Sequence, residues 1–133
     1  MMKRRHILIC LGAGAMGASA SGTWAADKPK AGGDSYTPVR TLTANTFSAD
    51  GRRGVFSVEC GLDAPDPAVR VRVVGLMPRL RDAFAGRLQV FASALRPGQV
   101  PDLDLLARLM QADTDRVIGR PGARFLLGAC ILN

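Results

Sequence analysis

The chain contains one histidine, His6, and one glutamate, Glu59, so two side-chain types that enzymes often use for proton transfer are scarce. Histidine is the commonest general base near neutral pH, and His6 lies at the extreme N-terminus. The sequence has no Cys-x-x-Cys motif and no glycine-rich phosphate loop between a strand and a helix. These absences predict a non-enzyme without a bound cofactor or metal.

Aromatic residues make up only 5% of the 133 residues, so the core must be built mainly from Leu, Val and Ala. The formal net charge is +7, and three of these positive charges lie within the first five residues. The remaining excess is too small and too dispersed for a nucleic-acid-binding surface, which needs a clustered basic stripe. Nucleic acid is therefore excluded as a partner.

The N-terminal segment has the pattern of an export signal. A charged start that includes Arg4 and Arg5 precedes an apolar run over residues 7–16 and an Ala-x-Ala cleavage pattern at 18–20. The arginine pair resembles a twin-arginine (Tat) signal, with an ordinary Sec signal as the alternative. The apolar run is shorter than the ~20 residues that span a bilayer. Residues 1–26 are therefore predicted to be a signal peptide, the location is predicted to be the periplasm, and membrane anchoring follows only if the signal stays uncleaved.

Residues 27–36 are predicted to form a flexible linker, because they have no hydrophobic periodicity and contain adjacent glycines and a proline. A folded domain follows at 37–133. It opens with a β-branched strand over 39–47 and a turn at Asp50-Gly51. The second strand alternates with period two, and its core-facing residues are Phe56, Val58, Cys60 and Leu62.

Asp66-Pro67 is a helix-start signature, since Asp accepts free amide hydrogens at the N-cap and Pro suits the first turn. Residues 69–73 alternate Val and Arg, which is typical of a strand, but the cap favours a helix. Pro78 predicts a kink or a restart. The helical stripe that follows is Leu80, Phe84, Leu88, Phe91 and Leu95.

A further helix begins near Pro101-Asp102 and ends at Gly119, with Asp113 and Asp115 expected on its outer face. Residues 124–132 are almost entirely apolar, which predicts a last strand covered on both faces. The predicted fold is a single α+β domain of order β-β-α-α-β, with an antiparallel-containing sheet packed by two helices.

Two sets of residues are candidates for a functional role. Cys60 and Cys130 could form a disulfide in an oxidising compartment, worth about 3–4 kcal/mol in the loop-entropy model. The alternative is two buried thiols that act as small apolar residues. Arg70, Arg72, Arg79 and Arg87 could bind an anionic partner, or they could form a solvated helix face whose aliphatic stems cover the edges of the core.

The motif Pro78-Arg79-Leu80-Arg81-Asp82-Ala83-Phe84 resembles the helix opening of the FliL family of flagellar basal-body-associated proteins. The strand at 58–63 and the closing Ile131-Leu132-Asn133 are similar to other family patterns. The resemblance covers about the last three-quarters of the chain. It implies a compact periplasmic α+β domain that assembles with itself and with motor proteins, without catalysis. The family usually has a membrane anchor, whereas this chain has a cleavable-type signal.

The sequence thus predicts an exported, non-catalytic, FliL-like interaction protein associated with the flagellar motor or the cell envelope. The alternative is a periplasmic small-ligand binding or carrier protein, which would need a pocket between the sheet and the helices. An uncharacterised enzyme is disfavoured by the scarcity of histidine.

Overall fold

The computed structural model describes residues 33–133, in which a short 3-10 turn at Gly33–Ser35 leads directly into the first strand. The predicted signal peptide, with Arg4 and Arg5, lies outside the described residues. Most of the predicted linker does as well.

Strands β1 (Tyr36–Phe47) and β2 (Arg53–Asp63) form an antiparallel hairpin, as the sequence predicts. Gly51 adopts a φ of 77° in the turn, a conformation that glycine reaches without steric cost. The pairing is irregular between Val39 and Leu42. That bulge lets both side chains face the core although three positions separate them, which explains the imperfect alternation of this strand.

Helix α1 (Pro67–Gly75) begins at the predicted cap, where the Asp66 carboxylate accepts from the backbone N–H of Ala68 at 2.9 Å. The helical prediction for the Val-Arg alternation is therefore confirmed. Leu76 separates α1 from α2 (Met77–Ser93), which has proline in its first turn. The restart at Pro78 thus produces two helices in a region counted as one, and the domain contains three helices rather than the predicted two.

Helix α3 (Leu103–Ile118) is capped by Asp102, which accepts from the backbone N–H of Leu105, and it ends at Gly119 with a φ of 78°. Strand β3 (Arg124–Leu132) then pairs antiparallel with β2. The sheet order is β1-β2-β3, so the last strand returns to the free side of the hairpin.

The three helices lie on one face of the sheet, with α2 over β1 and α3 over β3. The buried core joins the inward side chains of the strands to the helix stripes and includes Phe56, Val58, Leu62, Leu80, Phe84, Leu88, Leu106, Met110 and Ile118. The α+β class is confirmed. The prediction that the last strand is covered on both faces is wrong, because Ile131 lies on the face of β3 without helices and is 54% exposed.

Candidate functional site

Three of the four arginines predicted to bind a partner form hydrogen bonds to other residues of the domain. Arg70 donates to the backbone oxygens of Ala64 and Pro65, each at 3.2 Å. Arg72 donates twice to the carbonyl oxygen of Ile118, where α3 ends. Cationic side chains are favourable at a helix C-terminus, because the last carbonyls there have no partner within the helix.

Arg87 is the third of these arginines. It binds the carboxylate of Asp113, a residue that the sequence analysis placed on the outer face of its helix. Its Nε and Nη2 donate to the two oxygens of Asp113 at 2.8 and 3.0 Å, and Arg116 Nη2 adds a third bond at 3.0 Å. The Asp113 side chain is only 3% exposed. The predicted outer position of Asp113 is therefore wrong.

The bonds from Arg87 and then Arg116 outweigh burial and lower the pKa of Asp113 below its ordinary value. A signal for this position exists in the sequence. Asp113 follows Leu106 and Met110 at spacings of four and three, so it falls on the buried stripe of α3. Of the four candidate arginines, Arg79 alone is exposed and without a hydrogen bond or ion pair among residues 33–133.

Cys60 and Cys130 are both free thiols, on neighbouring strands. Cys130 pairs with Val58 and Cys60 pairs with Leu127, so the two cysteines are diagonal neighbours on the core face of the sheet. The pairing of the two strands shifts register between Val58 and Cys60. Burial and the neighbouring Cys130 raise the pKa of Cys60 to about 11. Burial also raises the pKa of Cys130. Both groups are therefore protonated near neutral pH.

At each edge of the sheet, a glutamine side chain from a helix forms hydrogen bonds with backbone groups. Gln89 of α2 bonds to Asn45 of β1, donating to its carbonyl at 3.2 Å and accepting from its N–H at 3.1 Å. Gln111 of α3 donates to the carbonyl of Ala123 at 2.9 Å and accepts from the N–H of Phe125 at 2.7 Å. The amide groups thus take the place of a neighbouring strand at these points.

The end of the sheet nearest the β1–β2 turn opens into a cavity of about 420 Å³. The turn forms one side of it, the connection between α2 and α3 forms another, and the end of β3 forms the third. This hairpin-end cavity is lined by Thr46, Phe47, Ser48, Arg52, Arg53, Gly54, Leu95, Arg96, Pro97, Gly98, Gln99, Leu132 and Asn133. No aspartate or glutamate is among these lining residues.

Within residues 33–133, no group of three or more His, Cys, Asp or Glu side chains is arranged to hold a metal ion. Glu59 lies exposed in the middle of β2, on the face without helices. None of the helices described for residues 33–133 has both the length and the apolar character needed to cross a membrane.

The chain was compared with models of known protein families and with curated proteins, and neither comparison found a match.

Proposed function

We propose that this chain is an exported, non-catalytic interaction protein that binds a partner in the bacterial envelope. The observation that carries the proposal is the edge of β3 away from β2, where backbone donors and acceptors have no partner among residues 33–133 and lie beside exposed apolar side chains. The link to the flagellar motor rests on the resemblance of residues 78–84 to the FliL helix opening.

The free edge can be located from the pattern of backbone bonds. Asn133 and Val55 exchange both of their backbone hydrogen bonds, each at 3.1 Å. In an antiparallel pair, residues alternate between bonding the neighbouring strand and facing away from it. Cys130 and Leu132 therefore direct their N–H and C=O groups away from β2. On the other side of the bulge, Leu127 does the same, since Phe125 already points outward to Gln111.

Residues 125–132 contain no charged side chain and no proline. Proteins usually protect an exposed strand edge with lysine, proline or a covering segment. In this domain, Gln111 closes the edge only at Ala123 and Phe125. The remainder, from Leu127 to Leu132, is suited to receive an extended apolar segment of a partner by strand addition.

Residues 78–84, which carry the resemblance to the FliL family, contribute to the core of the domain. Leu80 and Phe84 are fully buried in the core, and Pro78 lies in the first turn of α2. Asp82 is exposed, whereas Arg81 is half-buried with its Nε unpartnered among residues 33–133. Partner contact is therefore assigned to the β3 edge and not to this motif.

Site-specific photo-crosslinking tests the proposal. A photoreactive residue replaces Ile131, which is 54% exposed beside the free edge, and a matched control replaces Val90, which is 67% exposed on α2. In cells of the native host, we expect an envelope or motor protein to be captured from position 131 and not from position 90. A Leu127→Pro change, which obstructs the edge, should abolish the capture.

Equal capture at both positions, or capture of cytoplasmic proteins only, would overturn the β3 edge as the contact. A product of twice the mass of the chain would replace the external partner with a second copy. The proposed association with the flagellar motor is tested separately. Flagellar genes should neighbour the gene for this protein, and their absence would contradict the association.

Export is tested separately by mass spectrometry of the mature N-terminus. We expect a start between Ser21 and Asp27, because the cleavage patterns of the signal lie at and just before these residues. An intact Met1 or Met2 would contradict a free periplasmic protein and would support a membrane-anchored form.

A further inference from the structure

Helix α1 exposes an apolar face to solvent. Its buried residues are Val69 and Val73, and at 3.6 residues per turn the side opposite to them is centred on Val71. This α1 outer face consists of exposed residues without a polar side chain, namely Pro67, Ala68, Val71, Val74 and Gly75. Val71 and Val74 are 72% and 60% exposed. Because a surface helix normally turns charged or polar residues to water, this face has the composition of a contact surface.

Two arginines flank the α1 outer face, Arg70 on one side and Arg72 on the other. Both use Nε and Nη2 to bond to backbone carbonyl oxygens of the domain. A carbonyl group has no net charge, so neither guanidinium is neutralised by a carboxylate among residues 33–133. The Nη1 group of each has no partner in that range. It is therefore available to donate to an anionic oxygen such as that of a phosphate.

The sequence around α1 carries charge of one sign. Residues 67–81 include four arginines and no acidic residue. Asp66, the acid just before α1, is already bonded, because its Oδ1 accepts from the N–H of Ala68 and its Oδ2 lies 3.4 Å from Nη2 of Arg120. The next acid, Asp82, lies beyond the first turn of α2. A negatively charged surface against α1 would therefore meet cationic side chains and no unpaired carboxylate of this helix.

Helix α1 also lies at the end of the domain where the chain enters it. The backbone N–H of Ala64 donates to the carbonyl oxygen of Ser35 at 2.9 Å, and α1 begins three residues after Ala64. Shortly before the described residues, the sequence contains Lys28 and Lys30, which outnumber the single acid of residues 27–32. The covalent connection attaches this positive charge to the same end of the domain as α1.

We propose that the α1 outer face binds the surface of a membrane that contains anionic phospholipids. Val71 and Val74 enter the boundary between the headgroups and the acyl chains, and Arg70 and Arg72 donate to phosphate oxygens beside them. Helices that lie in this boundary combine an apolar face with neighbouring basic residues in the same way. The inference is independent of the protein contact assigned to the β3 edge, since the two surfaces share no residue.

Flotation with phospholipid vesicles measures this binding. The exported chain should float with vesicles of phosphatidylglycerol and bind at least about tenfold more weakly to vesicles of phosphatidylcholine, which have no net charge. Added salt should release it from phosphatidylglycerol, because salt screens the attraction between exposed charges. Equal binding to both lipids would overturn the role of the arginines. No binding to phosphatidylglycerol would overturn the proposal as a whole.

Variants of the two valines separate binding from folding. Val71→Gln combined with Val74→Gln removes the apolar contact, so binding to phosphatidylglycerol vesicles should fall at least about tenfold. The thermal stability of the free protein should stay unchanged, since both side chains are exposed. Val90→Gln is the matched control, because Val90 is 67% exposed on α2, and it should bind as the parent does. Undiminished binding by the double variant, or an equal loss in the control, would contradict a contact through α1.

Photo-crosslinking locates the contact in cells of the native host. A photoreactive residue replaces Val71, and the control replaces Val90. Mass spectrometry should find phospholipid attached at position 71 and not at position 90. The comparison holds for a free and for a membrane-anchored form, because both positions belong to the same chain. Capture of a protein and of no lipid at position 71 would replace the membrane with a protein partner and overturn the proposal.

Discussion

Arg87 of α2 donates two hydrogen bonds to the carboxylate of Asp113 in α3, at 2.8 and 3.0 Å, and thereby joins two helices through a buried charge. The Asp113 side chain is 3% exposed, whereas that of Arg87 is 35% exposed. Asp113 is thus the group that depends on the pair, because a buried carboxylate without a partner is costly.

Arg87→Ala should lower the free energy of unfolding by about 2–3 kcal/mol, less than for a fully buried pair because Arg87 is partly solvated and Arg116 still contacts Asp113. Chemical denaturation measures this change. Arg79→Ala is the control on the same helix, and its effect should stay within about 0.5 kcal/mol because Arg79 is exposed and has no partner among residues 33–133. Equal losses in both variants would contradict a structural role for the pair.

The same pair predicts a dependence of stability on pH. Hydrogen bonds from Arg87 lower the pKa of Asp113 from its ordinary value of 3.8. The ionised carboxylate therefore stabilises the fold fully above that value, and this stabilisation is lost as the pH falls through the lowered pKa. The parent should exceed Asp113→Asn in unfolding free energy near neutral pH, and the difference should shrink as the pH falls below 3.8 and through the lowered pKa of Asp113. Urea unfolding at several pH values tests this, and a difference that does not change with pH would contradict it.

Gln111→Ala should destabilise the domain by about 1–3 kcal/mol, because it leaves the N–H of Phe125 and the carbonyl of Ala123 without their partner. Gln111→Glu retains an acceptor for Phe125 but cannot donate to Ala123, so its loss should be intermediate at neutral pH. Amide hydrogen exchange provides the local measurement. Phe125 should exchange faster in Gln111→Ala, and unchanged protection would show that another group closes this part of the edge.

The two cysteines of the sheet should differ in their reactivity with iodoacetamide. Cys60 is buried and its pKa is raised to about 11, whereas Cys130 is partly exposed. Near pH 8 the thiolate fraction of Cys60 is on the order of one in a thousand. We expect Cys130 to be alkylated first, with Cys60 modified only after unfolding. Peptide mass spectrometry distinguishes the two sites. A chain that stays unmodified at both positions after unfolding without reductant would instead contain the disulfide.

Local features of the sequence predicted the elements of this fold. The Asp66-Pro67 and Asp102 caps, the stop at Gly119 and the alternation of β2 all lie where the sequence analysis placed them. These features act over a few residues. A cap satisfies amides two or three positions away, and glycine reaches positive φ without reference to the rest of the chain. The restart at Pro78 is of the same kind, although the number of helices was underestimated.

The contacts of the candidate functional residues are determined by the tertiary structure. Whether an arginine faces a partner or the carbonyl of Ile118 depends on where α3 ends in space, and the burial of Asp113 depends on Arg87, which lies 26 positions away in the chain. The bulge opposite Cys60 changes which residues of β3 face the core, since a shift of one residue turns a side chain to the other face of a sheet. The sequence by itself determined the helices, the strands and the inward face of β2. The exposed edge of β3 and the cavity beside Thr46 arise only when distant segments meet, because burial and charge pairing are properties of surfaces brought together and not of residues adjacent in the chain.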